Sequence, residues 1–181
     1  MIWATADQHW NHGNILQYAN RPFGNIAEMN ATLISNHNSV VNNNDDIYML
    51  GDVTLGSYNT FLEFINQLKG KIHIIPGSHD WQWMKGFSKD STERSFVVLE
   101  PIHILEFKND TPYPEMWVLC HYAMRKWCRS HFGTYHLYGH SHCQLSDFGR
   151  STDVGVDCWN HFPVSLDTLR EKFLQVPAPK L

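Results

Sequence analysis

The sequence predicts an α/β fold: a two-layer β-sandwich of mixed sheets with helices on its flanks. Three observations lead there. The first half alternates apolar, β-like runs with helix-periodic stretches. The second half is a series of short strand-like runs with short connections. Of the 181 residues, 43% are hydrophobic, enough to build one domain with a substantial core.

Taken in order, residues 1–6 read as a buried strand that delivers Asp7. Asn25 can cap a helix over residues 26–41, with Glu28 at the third position completing an approximate capping box. Residues 42–45 (Asn-Asn-Asn-Asp) form a turn, and residues 47–50 a second buried strand that delivers Gly51-Asp52. Phe61, Leu62, Ile65 and Leu68 recur at helical spacing over residues 58–68, which stop at Gly70. Residues 71–76 are a third strand, ending at Gly77. Strand, helix, strand, helix, strand is the order of a parallel sheet.

Residues 96–99, 102–107, 116–120, 135–138 and 153–157 are strand candidates for a second, antiparallel or mixed sheet. A last helix is expected over residues 166–174. The chain therefore reads as a single domain over residues 1–175 with a loose tail over 176–181 that carries two prolines.

Composition narrows the function classes. Fourteen Lys and Arg face eighteen Asp and Glu, a formal charge of −4. No basic run exists, which argues against a grip on long nucleic acid without excluding it. Cys120, Cys128, Cys143 and Cys158 show no C-x-x-C spacing. With no apolar segment long enough for a membrane and no signal peptide, reduced thiols in the cytoplasm are the expectation.

Five blocks of Asp and His punctuate the chain, each behind a strand-like run: Asp7-Gln8-His9, Gly51-Asp52, Gly77-Ser78-His79-Asp80, Cys120-His121-Tyr122 and Gly139-His140-Ser141-His142. Strand ends on one edge of a sheet can gather distant residues into one pocket. Carboxylates with imidazoles suit manganese, iron or zinc better than calcium or magnesium. On a strand, the i, i+2 spacing of Asp7/His9 and of His140/His142 puts each pair on one face. Any one block could be an ordinary turn; five in this order make that reading poor. A structural zinc site fits badly, because its ligands would be Cys-rich and local.

In these motifs the chain resembles the calcineurin-like metallophosphoesterases, specifically their small single-domain bacterial or phage type. The family pattern D-x-H, G-D, G-N-H-D/E, a lone H, then G-H-x-H is matched at Asp7-x-His9, Gly51-Asp52, Gly77-Ser78-His79-Asp80, His121 and Gly139-His140-x-His142. Asn20-Arg21-Pro22-Phe23 and Asp153-Val154-Gly155-Val156-Asp157 also look like such members. The resemblance implies a four-layer α/β/β/α metallophosphatase-like fold. It implies two divalent metals, manganese first, with iron, zinc or nickel as alternatives. One metal would take Asp7, His9, Asp52 and His142; the other Asp52, Ser78, His121 and His140, with Asp52 bridging.

The implied activity is hydrolysis of a small phosphomonoester or phosphodiester, a nucleotide among the candidates, by a metal-activated hydroxide attacking in line. His79 would be the general acid, with Asp80 to orient it. Arg21, Arg125, His12 and Ser78 are candidate substrate contacts, and Asn11 and Tyr122 candidates for the pocket rim. Trp81 and Trp83 could stack on a base or close the core, with the core favoured. Loops over residues 11–24 and 81–94 would set specificity. Ser78 departs from the family Asn: a hydroxyl is shorter than an amide and cannot hold metal and phosphate at once. The second metal is therefore expected to bind more weakly. A weakly active or non-catalytic metal-binding module is one alternative, and a nuclease of the same superfamily another.

Overall fold

A computed structural model describes residues 1–87 and 95–176. Half of the expected loop over residues 81–94 and nearly all of the tail over residues 176–181 lie outside the described residues.

The described chain is α/β, with two sheets flanked by helices. The first sheet has the order β4-β3-β2-β1-β9. β1 (Ile2–Thr5), β2 (Asp46–Met49), β3 (Lys71–Ile74) and β4 (Phe96–Val98) run parallel, and β9 (Val164–Ser165) pairs antiparallel with β1. The second sheet has the order β5-β6-β7-β8, formed by β5 (Ile102–Phe107), β6 (Glu115–Cys120), β7 (Tyr135–Tyr138) and β8 (Ser151–Asp153). β5 is antiparallel to β6, whereas β6, β7 and β8 run parallel, so this sheet is mixed.

Alternation along each strand assigns its two faces. Ile47 and Met49 of β2 point into a cluster with Trp10, Met29, Leu33, Phe61, Ile65 and Trp83. That layer is supplied by α2 (Ile26–Val40), α3 (Tyr58–Ile65) and α4 (Trp81–Met84). Ala4, Leu50, Trp117, Leu119 and Leu137 belong to a second cluster between the sheets. Phe173 of α5 (Leu166–Leu174) meets Trp117 at 6.0 Å and Tyr135 at 5.3 Å between ring centres, so α5 bridges both sheets at the β9 side. On the outer face of the second sheet Trp127, from the segment after β6, stacks on His136 of β7. That segment carries a single 3-10 turn, Ser130–Phe132, where the family resemblance implied a helical layer.

The helix boundaries follow local chemistry. Asn25 Oδ1 accepts from the Glu28 backbone N–H at 2.9 Å and caps α2. The reciprocal bond comes one residue early, because Glu28 Oε2 accepts from Gly24 N–H rather than from the cap residue. Four short elements carried no readable sequence signal: α1 (Ile15–Tyr18), α4, β9 and the Ser130–Phe132 turn. Each is four residues or fewer, too short to express a period. Residues 153–157 are not one strand. β8 ends at Asp153, and Val156–Cys158 form a 3-10 turn.

Candidate metal centre

The parallel strands of both sheets end on one edge, and all five Asp/His blocks sit there. Asp7 and His9 follow β1, Asp52 follows β2, Ser78 and His79 follow β3, His121 follows β6, and His140 and His142 follow β7. They converge at strand ends as expected, but the on-strand i, i+2 geometry expected of two pairs does not hold. Neither Asp7/His9 nor His140/His142 lies on a strand. Asp7, His9, Asp52, His140 and His142 all lie past the strand ends with φ between 46° and 69°. A left-handed backbone in a non-glycine residue costs on the order of 1 kcal/mol and persists only where its surroundings enforce it. Here they do: Asp7 N–H donates to Gly51 C=O and His9 N–H to Asp52 C=O, each at 3.0 Å.

Two glycines make the approach possible. A Cβ on Gly51, whose φ is +85°, would lie 2.5 Å from Gly77 Cα and 2.8 Å from His121 Nδ1. A Cβ on Gly139 would lie 2.5 Å from Ala6 Cβ and 2.8 Å from Asp7 Oδ2. The neighbours at both points are backbone or site atoms, so the turns accept no side chain.

The result is two ligand groups side by side. Asp7, His9 and His142 form one, and Asp52, His121 and His140 the other, with the ligand atoms in each within 4.8 Å of one another. Asp52 Oδ2 stands at the junction, 3.7 Å from His9 Nε2 and 3.3 Å from His121 Nε2. Asp7 Oδ1, His9 Nε2 and His121 Nε2 are buried and make no hydrogen bond. Buried polar atoms without partners are costly. Three of them pointing at one place is what a cation-binding site requires, and the donor set fits one.

Supporting bonds aim the imidazoles. His121 Nδ1 is 2.7 Å from the Leu50 carbonyl, which can only accept, so Nδ1 carries the hydrogen and Nε2 keeps its lone pair. His142 Nδ1 is 2.7 Å from Asp157 Oδ2, with the same outcome. Asp157 is in turn held by Arg21, at 2.8 Å from Nε and 2.9 Å from Nη2. Burial opposes ionisation of Asp157, but His142 and Arg21 win and pull its carboxyl down to about 2. Burial pushes Asp7 up to about 7 and pulls His9 down to about 3. A divalent ion would reverse the Asp7 shift, since its charge favours the carboxylate.

Two expected roles are corrected here. Arg21 is not a substrate contact. Its side chain is fully buried, and it also donates to the carbonyls of Gln8 at 2.8 Å and Asp7 at 2.6 Å and to Met29 Sδ at 3.3 Å. It clamps the first ligand loop to Asp157. Asp80 does not orient the His79 ring. Its buried carboxylate accepts from the backbone N–H groups of Asp52, Val53 and Gly77 and from Trp83 Nε1, at 2.7 to 2.9 Å. It ties the Asp52 turn to the Ser78 turn.

The other expected residues divide. His79 is at the mouth: its side chain is 44% exposed and Nε2 is 4.0 Å from Asp52 Oδ2. Its backbone N–H donates to Asp52 Oδ1 at 2.7 Å. Ser78 Oγ donates to the same carboxylate, at 3.0 Å to Oδ2 and 3.2 Å to Oδ1, so it reaches the centre through Asp52. His12 joins the cluster, 5.4 Å from the His9 ring and 6.4 Å from the His79 ring, with a buried Nδ1 that makes no hydrogen bond. Tyr122 packs edge-on against His121 and His140 at the rim. Asn11 is pinned to Asn30 of α2 instead. Trp83 is core, stacked on Phe61 at 4.0 Å, whereas Trp81 is exposed. Arg125 is exposed in an open groove of about 400 Å³ with Met124, Tyr138, Leu145 and Phe148.

Asp153 and Asp157 had no assigned role in the sequence. Asp153 accepts from Ser141 Oγ and from the N–H groups of Cys143 and Gly155, shaping the His140–Cys143 turn. The readable signal was two carboxylates flanking Gly155 within the segment read as a strand.

Fold and site together define an α/β protein of two mixed sheets with paired His/carboxylate clusters at its strand ends. No family model matches the chain. It is 31% identical over 177 residues to uncharacterized protein MJ1445 of Methanocaldococcus jannaschii, covering 93% of this chain and 88% of that protein, and belongs to the same family. An 81-residue stretch is 32% identical to the gene 66 protein of Mycobacterium phage L5, spanning 43% of this chain and 39% of that one. The crystal structure of AQ665, a protein of unknown function from Aquifex aeolicus, shares the fold with a TM-score of 0.67 at 17% identity, over 95% of this chain and 98% of that one. Among the described residues, no helix is long and apolar enough to cross a membrane.

Proposed function

We propose that the protein is a calcineurin-like metallophosphoesterase that hydrolyses a small phosphomonoester or phosphodiester, such as a nucleotide, at two divalent metals, manganese first. The reading is carried by one observation. The Asp52 carboxylate lies between two buried imidazole nitrogens, His9 Nε2 and His121 Nε2, that have no other partner. Asp7, His9, Asp52 and His142 would hold one ion, and Asp52, His121 and His140 the other, with Ser78 adding a weak oxygen. Bound there, the two ions supply Lewis acidity toward water and toward the phosphoryl oxygens.

The chain's own groups do the rest. The hydrogen bonds to Leu50 C=O and Asp157 keep the Nε2 lone pairs of His121 and His142 directed inward. His79, exposed beside Asp52, is placed to give a proton to the leaving oxygen from its ring. His12 lines the same wall and would meet the substrate phosphate. Arg125 and its apolar groove would take the part of the substrate remote from phosphorus. The four free cysteines suit a reducing, cytoplasmic location.

The test is turnover of bis-p-nitrophenyl phosphate and p-nitrophenyl phosphate with added manganese. Hydrolysis is expected, and the ratio of the two rates separates diesterase from monoesterase. No turnover of either, in this chain and in Ser78→Asn alike, would overturn the reading in favour of a metal-binding module. His79→Ala should lower kcat by about 10²- to 10⁴-fold with metal content unchanged. Loss of metal in that variant would make His79 a ligand instead.

A further inference from the structure

Two exposed aromatic rings flank the candidate centre from opposite sides of the sandwich, and each has a cation beside it. On the side of the first sheet, Trp81 opens α4 two residues after His79, so its Cα lies within about 7 Å of the His79 Cα. Trp83 anchors α4 in the helix layer by stacking on Phe61 at 4.0 Å, whereas Trp81 is 55% exposed. Lys85 Nζ lies 4.1 Å from the centre of the Trp81 ring.

On the side of the second sheet, Tyr122 stands 5.0 Å from the His140 ring, and the groove of Arg125 begins at the next residue, Ala123. This segment leads into Trp127, which covers the outer face of that sheet. The other wall comes from the loop after His142, where Leu145 is 53% and Phe148 59% exposed. Among the described residues no carboxylate pairs with Arg125, and Asp147 of the facing loop is taken by Lys172 at 2.7 Å. Either ring alone would be an ordinary surface residue. One on each side of a phosphate-type centre, each with a cation, is a pair with a use.

We propose that the substrate is a phosphodiester with a flat base on each arm, a short single-stranded oligonucleotide; the placement of the scissile phosphorus rests on the phosphoesterase reading above. One base stacks on Trp81, the other on Phe148, and Arg125 takes the next phosphate. A monoester has one arm and would leave one ring unused. Stacking on aromatic faces tolerates any base and supplies affinity that does not depend on a basic run. That suits a chain whose formal charge is −4. The two sides also set which bond breaks, because the arm on Trp81 lies beside His79. Water gives its oxygen to phosphorus and a proton to solvent. The P–O bond of that arm breaks, and the leaving oxygen takes its proton from the His79 ring, which solvent restores.

The test is binding of fluorescein-labelled trithymidylate to the full chain with added manganese, read by fluorescence anisotropy. Phosphorothioate links keep the probe from being hydrolysed. Trp81→Ala and Phe148→Ala should each weaken binding by about 5- to 100-fold, and the double variant by roughly the product. Trp81→Phe and Phe148→Tyr keep a flat face and should stay within about threefold of the parent chain. Arg125→Gln should lower the slope of log affinity against log salt by about 0.7, one phosphate contact on a single strand. An alanine variant that binds as well as the parent, or a double variant no weaker than the single ones, would overturn the proposal. So would ring-for-ring variants as weak as the alanine ones, since the loss would then be of fold rather than of stacking. A chain that hydrolyses both nitrophenyl esters but binds trithymidylate no more tightly than thymidine overturns this proposal and keeps the phosphoesterase reading. A chain that binds it through both rings yet hydrolyses neither ester overturns that reading and keeps the oligonucleotide site.

Discussion

The two clusters meet at Asp52 but are built differently. In the first, Asp7 and His9 are buried and His142 is half-buried, and a chain of part-buried bonds runs from His142 through Asp157 to Arg21. Arg21 closes that chain onto the carbonyls of Asp7 and Gln8, so the ligand loop and the imidazole brace are one unit. In the second, His140 is exposed, Tyr122 is its neighbour at the rim, and Ser78 reaches in only as far as Asp52. Ligands held in place before binding lose little freedom when an ion arrives, whereas an exposed imidazole must be ordered by it. The difference teaches that one cluster is held in place by its own bonds and the other is open at the rim; on the two-metal reading the first would retain its ion and the second exchange it.

The strongest way to break this contrast is Arg21→Met. Removing the guanidinium leaves the Asp157 carboxylate with His142 as its remaining partner, which should cost about 3 kcal/mol. The measure is chemical denaturation of the metal-free protein, and a loss under about 1 kcal/mol would show that the brace is not what holds the first cluster together. Asp157→Asn is subtler. It keeps the shape but weakens the bond that sets the His142 tautomer, so first-site affinity should fall by about 10- to 100-fold. Titration with competing chelators should show the tighter of two binding steps weakening and the looser one unchanged. Equal weakening of both would mean the clusters do not act separately.

Ser78→Asn approaches from the other side. An amide oxygen can reach an ion where a hydroxyl turned onto Asp52 does not, so second-site affinity should rise by roughly tenfold, the scale of a supporting-residue change. Unchanged affinity and stoichiometry would remove Ser78 from the contrast. The smallest effect is in protons. Burial holds Asp7 up to about 7, and an incoming ion needs its carboxylate ionised, so binding must expel that proton below this pH. First-site affinity should therefore rise with pH up to about 7 and level off above it. Calorimetry in buffers of different ionisation heat should show more proton release at pH 6 than at pH 8. Release that does not change with pH would place Asp7 outside the ion's reach.

Much of this was legible in the chain. β5, β7 and α5 lie within the residues their patterns mark, because apolar strand-like runs between turns and a helical period are visible in the chain itself. The five Asp/His blocks were legible because each follows such a run. The roles of Arg21 and Asp80 were not. A charged residue beside a motif looks the same in sequence whether it faces a substrate or the inside of a loop. Only burial and the direction of its bonds tell these apart.

The sequence by itself determined the class of fold, the edge of the sheet that carries chemistry and the identity of the ligand-type side chains, since these depend on local periodicity and residue chemistry. The tertiary structure alone decided how they meet. It placed five ligand-type residues in left-handed turns rather than on strands, turned Arg21 inward, and made Asp80 a tie between two loops. Each depends on segments apart in the chain meeting where the two sheets pack face to face, and no local pattern encodes that.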